Sequence, residues 1–360
     1  MEENIIFPAE WYPQSAVQLT WPHKQTDWAP MLEEVTACFV AIAREIVKRE
    51  TLLIVCANEA EVRRQLGDPK DAPIIFREIR TNDTWARDHG GITVFADGKP
   101  MVCDFVFNGW GMKFAANHDN LITRFLFRTG TFHKEVEVVN MQPFVLEGGS
   151  LETDGKGTLL TTVECLASVN RNEYLNKEQL EYHLKDFLGI NRVLWLKNGY
   201  LAGDDTDSHI DTLARFCDEQ TIAYVQCTDE ADEHFTELKA MEKELKTFRT
   251  ADGNPYRLIP LPMADEMIWE NERLPATYAN FLIINKAVLV PFYKSDKDEI
   301  AGKALQKAFP DREIVGIDCR ALIKQHGSLH CVTMQYPEGT VNIPGCVEAS
   351  ALSKATDGSK

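Results

Sequence analysis

Basic charge is scarce in this chain. Its 360 residues include 38 lysines and arginines against 55 acidic residues, a formal charge of −17. A mean field of that sign repels phosphate and attracts cations, which argues against a nucleic-acid partner. Long apolar runs are also missing: no uncharged stretch reaches the ~18 residues that a bilayer crossing requires. Met1–Ala9 has no basic segment followed by an apolar one, so neither a membrane span nor an export signal is expected, and the expected compartment is the cytoplasm. The nine cysteines are spread without CxxC pairs, and most of them are expected to be reduced, buried and inert. The nine histidines include neither HExxH nor a Cys/His cluster with zinc spacing, so no metal is expected.

The composition, 44% hydrophobic and 26% charged, is that of a folded globular protein. Apolar residues recur three and four apart in Trp28–Arg49, Lys177–Leu188, Asp232–Phe248 and Asp296–Phe309, which predicts helices. Between them lie strand-like runs rich in Val, Ile, Leu and Phe, so the class is α/β. One pattern repeats: a polar leader, a strand, a turn, then an apolar return strand. The leaders Asp88, Glu147, His209, Asn280 and Cys331 stand about sixty residues apart. The turns fall at Asp97-Gly98, at Asp154-Gly155, near Asp218 and near Asn285-Lys286. The unit led by Cys331 lacks its own return strand, which Ala16–Trp21 would complete. Units that cannot bury their own faces must pack on one another. The expectation is a single-domain, five-bladed, pseudo-symmetric α/β propeller over 1–345, with helices outside and a mobile tail at 346–360. Unrelated hairpins in an ordinary mixed sheet are the alternative.

In a closed ring the leaders would meet at one end of the axis. A neutral thiol such as Cys331 needs an imidazole or a cation to stabilise its thiolate. Asp88 and Asp211, buried together, would repel unless something positive and planar lay between them. A guanidinium has five donors, a permanent charge and bidentate geometry, and so fits that place. Cys331 would attack the guanidinium carbon, and His209 would give a proton to departing ammonia and then activate water. Glu147 would hold His209. His209 and Asp211, two apart, would face the same way if they lay in a strand. The same pair could be a metal half-site, but no further ligands are apparent. Trp85, Asp205 and Trp110 are candidates for the far end of the substrate, and glycines on both sides of Trp110 would let it move. His23, His89, His326 and His330 are expected to be structural or supporting.

The segments FPAEWYP (7–13), LTWPHK (19–24), TWARDHG (84–90), LEGGSLETDGKGTLLTT (146–162), DDTDSHIDTLARF (204–216), LPATYANFLI (274–283) and GSLHCVTMQYP (327–337) together resemble the agmatine deiminases, often grouped with the bacterial-type peptidylarginine deiminases. The resemblance extends over nearly the whole chain. It implies the five-bladed α/β propeller of the pentein-type, guanidino-modifying enzymes, no cofactor, and conversion of agmatine and water to N-carbamoylputrescine and ammonia on the way to putrescine. It assigns Cys331 as nucleophile, His209 as acid and base, Asp88 and Asp211 as guanidinium ligands and Glu147 as partner of the histidine. Two departures affect loop shape: family members commonly read RDxGP and GGGxHC, where this chain has Arg87-Asp88-His89-Gly90-Gly91 and His326-Gly327-Ser328-Leu329-His330-Cys331. The partner implied is a small cationic guanidino compound, and a homo-oligomer is compatible with this reading. Arginine deiminase, peptidylarginine deiminase, thiol protease and a propeller that binds without catalysing are the rival functions.

Overall fold

The computed structural model describes residues 4–67 and 72–343. The expected tail at 346–360, with Cys346, lies outside the described residues. Five sheets share one plan, in which an antiparallel hairpin is followed by a parallel third strand. Ile92–Ala96, Lys99–Val106 and Glu137–Val145 form one, with Ile5–Ile6 added at its edge. Glu152–Thr153, Thr158–Thr162 and Arg192–Leu196 form the next, and Ala214–Asp218, Thr221–Gln226 and Arg257–Pro262 the third. Leu282–Ile284, Ala287–Phe292 and Glu313–Asp318 follow. In the last, Thr333–Pro337 pairs antiparallel with the N-terminal strand Gln14–Thr20, which lies parallel to Thr51–Cys56. The N-terminal strand therefore supplies the return that the unit led by Cys331 lacks. A small hairpin, Ile268–Trp269 with Glu272–Arg273, stands apart from this plan. The fold is mixed α/β.

Each parallel step is bridged by a helix, as a parallel crossover requires: Leu32–Val47, Ile122–Arg128, Lys177–Leu188, Phe235–Thr247 and Lys297–Ala308. Lys177–Leu188 shows how local sequence sets such an element. Asn176 and Gln179 form a reciprocal capping box, Gly189 closes the helix at φ +66°, and Leu180, Leu184 and Leu188 bury one face. Burying each leucine stabilises the fold by about 2 kcal/mol. Asp97 and Gly98, at φ +48° and +80°, make the tight turn read from the sequence. Trp21 and Trp28 are fully buried. Among the described residues no helix is long and apolar enough to cross a membrane.

Candidate active site

The leaders do not open strands directly; three of them lie in or just before short helical turns that precede the strands. Asp88 lies in the turn Ala86–His89, Glu147 precedes Gly148–Ser150, and Asp211 lies in Ile210–Thr212, which His209 precedes. The strand geometry expected for His209 and Asp211 is thus corrected: a helical turn sends the two side chains to different partners.

His209 Nε2 lies 2.9 Å from Glu147 Oε2, while Nδ1 is buried, without a hydrogen-bond partner, and 3.6 Å from Asp88 Oδ1. Asp88 Oδ1 accepts from the Gly149 N–H (2.9 Å) and Oδ2 from Trp110 Nε1 (3.0 Å). Asn280 Nδ2 donates to Cys331 Sγ at 3.3 Å, and Sγ stands 3.8 Å from Asp211 Oδ2. Asp211 Oδ1 is buried and has no hydrogen-bond partner. Asp88 and Cys331 open onto a cleft of about 340 Å³ lined also by Asp27, Asp83, Trp85, Trp110, Asp205 and His326. No lysine or arginine among the described residues lines it. All eight residues expected from sequence therefore belong to one connected region.

Burial pushes the Cys331 thiol well above its ordinary range, and the Asp211 and Asp88 carboxylates push it further. Burial also raises Asp88, with Asp211 and Glu147 adding to the rise and His209 opposing it. For His209, burial acts to lower the imidazole, but Asp88, Cys165 and the Glu147 hydrogen bond outweigh it and hold it well above 6.5. Burial opposes ionisation of Glu147, yet His209 and Arg171 keep its carboxyl below the usual range. The site thus holds a protonated thiol next to a concentration of negative charge.

Several members were not legible as site residues. Arg171 is buried against Glu147 (Nη2 to Oε2, 2.8 Å) and also reaches Asp207 (2.7 Å). Asp207 is thus an ion-pair partner of Arg171 and Lys113. Cys165, expected to be inert core, has Sγ 3.9 Å from Glu147 Oε2. Glu10 accepts from Arg215 and touches His330. Two triads, Glu147–Cys165–His209 and Glu10–Glu152–His330, have ligating atoms within 4.8 Å of one another. In both, a buried arginine already supplies the cation: Arg171 on Glu147, and Arg215 on Glu10 and Glu152.

Trp110, flanked by glycines, stands at φ +55°, donates to Asp88 and makes ring contacts with Phe107 (5.0 Å), Phe114 (5.5 Å) and Trp85 (6.3 Å). Two glycines are required for close approach. A Cβ on Gly327 would stand 2.1 Å from Trp85 Cζ3, and one on Gly149 would stand 2.5 Å from His209 Nδ1 and 2.7 Å from Asp88 Oδ1. Gly149→Ala is accordingly expected to lower catalytic efficiency by roughly tenfold to a hundredfold with the fold intact, measured as kcat/KM beside a circular dichroism spectrum. An unchanged kcat/KM would mean that the imidazole and carboxylate tolerate displacement.

Fold and site together define an α/β protein of repeated hairpin-and-crossover units, whose buried thiol, imidazole and carboxylates converge on an acidic cleft. The model of the Porphyromonas-type peptidyl-arginine deiminase family matches residues 6–337, and the chain belongs to that family. A crystal structure named "Putative Arginine Deiminase" from Porphyromonas gingivalis is 58% identical, with a TM-score of 0.91 over 94% of this chain and 100% of that one. The substrate-bound structure of a cysteine-to-serine variant of the C. jejuni agmatine deiminase is 40% identical, with a TM-score of 0.86 over 94% and 97%. A protein named "Putative agmatine deiminase" from Marinomonas sp. (strain MWYL1) is 33% identical over 93% of this chain and 95% of its own length.

Proposed function

We propose that this protein hydrolyses the guanidinium of agmatine, giving N-carbamoylputrescine and ammonia through a covalent intermediate on Cys331. One observation carries the reading: a thiol raised by burial and by the Asp211 and Asp88 carboxylates faces a cleft lined by four aspartates and by no lysine or arginine among the described residues. A guanidinium held by Asp88 and Asp211 offsets the negative charge that adds to burial in keeping the thiol protonated, so the substrate itself favours the thiolate. As the guanidinium binds, the thiol loses its proton to solvent; the thiolate attacks the guanidinium carbon, and protonated His209, whose Nδ1 is free while Nε2 is held by Glu147, passes its proton to the departing ammonia. Water activated by the now neutral imidazole attacks the thiouronium carbon, and loss of the thiol leaves the ureido product. The five sheets are read as blades of a closed propeller formed by one catalytic unit, with the leaders at one end of its axis. All eight described cysteines are unpaired and buried, which suits a reducing cytoplasm.

The far end of the substrate decides between agmatine and arginine. An ammonium suits Asp205, Asp83 and the faces of Trp85 and Trp110, whereas the carboxylate of arginine would need a cation there. Ammonia release from agmatine, arginine and a blocked arginine ester tests this, with agmatine expected to have the highest kcat/KM. A ratio favouring arginine or the ester would overturn the assignment. Burial, opposed mainly by the Thr84 N–H, raises Asp83 to about 7, and burial, opposed mainly by His326, raises Asp205 to about 6. Both carboxyls are ionised above those values and neutral below them. As pH falls through this range the free enzyme loses attraction for an ammonium, and kcat/KM for agmatine is expected to fall. A profile flat from pH ~7.5 to ~5.5 would remove these two acids from substrate recognition.

A further inference from the structure

Glu10 lies near the start of the chain, yet a single imidazole separates it from a proposed guanidinium ligand. His330 Nδ1 lies 2.7 Å from Asp211 Oδ2, and its Nε2 lies 2.7 Å from Glu10 Oε2. All three residues are buried. Glu10 is itself fixed: Oε2 accepts from Arg215 Nη2 (2.8 Å), and Oε1 accepts from the Ile283 N–H (2.6 Å). The imidazole therefore has an immobile carboxylate behind it and Asp211 in front. With Oδ2 engaged by His330, Asp211 is left with Oδ1 buried and unpartnered and Oδ2 at 3.8 Å from Cys331 Sγ.

We propose that Glu10 and His330 are positioning residues, forming a carboxylate–imidazole–carboxylate bridge that sets the rotation and charge of Asp211. The inference rests on the deiminase reading above. Its physical basis is that a ligand-binding carboxylate acts at full strength only when its own orientation is held by further hydrogen bonds. A free carboxylate would turn about its Cβ–Cγ bond, and the alignment of two planar groups would be lost.

The groups around the bridge support the same assignment. Asp211 faces His330, the Cys331 thiol, His209, Arg215 and Asp88, with Arg87 also acting on it; His330 faces Asp211, Glu10 and Glu152. Burial pushes the Asp211 carboxyl up, but the His330 hydrogen bond, ahead of the charges of His209 and Arg215, brings it below its ordinary value. Losing the His330 bond therefore raises Asp211 and shifts its loss of charge to higher pH.

Two substitutions separate positioning from bulk. In His330→Asn the amide nitrogen takes the place of Nδ1 and retains the donor to Asp211. In His330→Gln it takes the place of Nε2, which retains the contact with Glu10 and loses the one with Asp211. His330→Gln is expected to lower kcat/KM for agmatine by roughly tenfold or more, with His330→Asn close to wild type. Equal losses in both variants would overturn the proposal. Should His330→Gln not fold, Glu10→Gln replaces it, with KM expected to rise about tenfold while kcat stays within about threefold; an unchanged KM overturns the proposal. If wild type released ammonia from no guanidino compound, the reading of function would be the part that failed. A carboxyl-selective NMR titration, which needs no turnover, would still decide the bridge: one aspartate titrating higher in His330→Gln than in wild type and His330→Asn supports it, and superimposable curves refute it.

Discussion

Cys331→Ala is expected to reduce ammonia release from agmatine by ~10⁴-fold or more, equivalent to about 5 kcal/mol of lost transition-state stabilisation. The size of the effect follows from the division of labour at the site. Asp88 and Asp211 can still hold a guanidinium without sulfur, so binding should survive, with KM or a calorimetric Kd within about tenfold of wild type. Water in place of the thiolate has no comparable nucleophilicity and no covalent intermediate to share the barrier. Cys165 provides the control. It is a second buried thiol, beside Glu147 and His209, and Cys165→Ala is expected to retain activity within about tenfold. If Cys331→Ala kept most of its turnover, the covalent route would be excluded.

The same electrostatics predict how the thiol reacts with labels. Burial and two carboxylates keep Cys331 protonated in the free protein, so a neutral haloacetamide should modify it slowly at neutral pH. A haloamidine of similar size carries the planar cation that the carboxylates are arranged to hold. It should label Cys331 faster by roughly a hundredfold or more, read by mass spectrometry of the modified peptide. Equal rates would mean that the carboxylates do not act on the sulfur.

Elements whose determinants lie within a few residues were legible in the sequence. Lys177–Leu188 carries its cap, its leucine spacing and its terminal glycine in one stretch, and its observed limits match the predicted ones. The leaders were legible because each is a chemistry-bearing residue set before a hairpin, and the hairpins announce themselves through turn residues. Glu137–Val145 was missed because Pro143 interrupts it and its apolar residues, paired at Val138-Val139 and Phe144-Val145, do not alternate with polar ones. Glu59–Leu66 was missed because its eight residues hold only two buried side chains, Val62 and Leu66. The supporting charges were hidden for another reason. Glu10 finds Arg215 across 205 positions of sequence, and Arg171 finds Glu147 across 24. No local pattern distinguishes such residues from surface charges, because what sets them apart is desolvation by parts of the chain folded around them. Likewise only the fold sets the Cys165 thiol beside Glu147 and His209.

Glu147→Gln carries the second large effect, and it can be separated from simple damage. The carboxylate holds His209 Nε2 at 2.9 Å and Arg171 Nη2 at 2.8 Å, with both partners essentially inaccessible to solvent. Removing its charge weakens the imidazolium, so the raised value of His209 falls. A group that acts as an acid works while protonated, so activity is lost as pH rises through its value. Lowering that value moves the basic limb of kcat to lower pH and should cost ~10² to 10³ in kcat. The same substitution strands the Arg171 guanidinium, which retains Asp207 and the Thr206 carbonyl but loses its fully buried partner. A stability loss of about 3 kcal/mol is expected from the broken buried pair. Adding Arg171→Met removes the stranded charge. The double variant should regain much of its thermal midpoint while its kcat and its displaced basic limb remain those of Glu147→Gln. Recovery of rate together with stability would assign Glu147 a structural role only, because a residue that acts through the proton on His209 cannot be replaced by relieving Arg171.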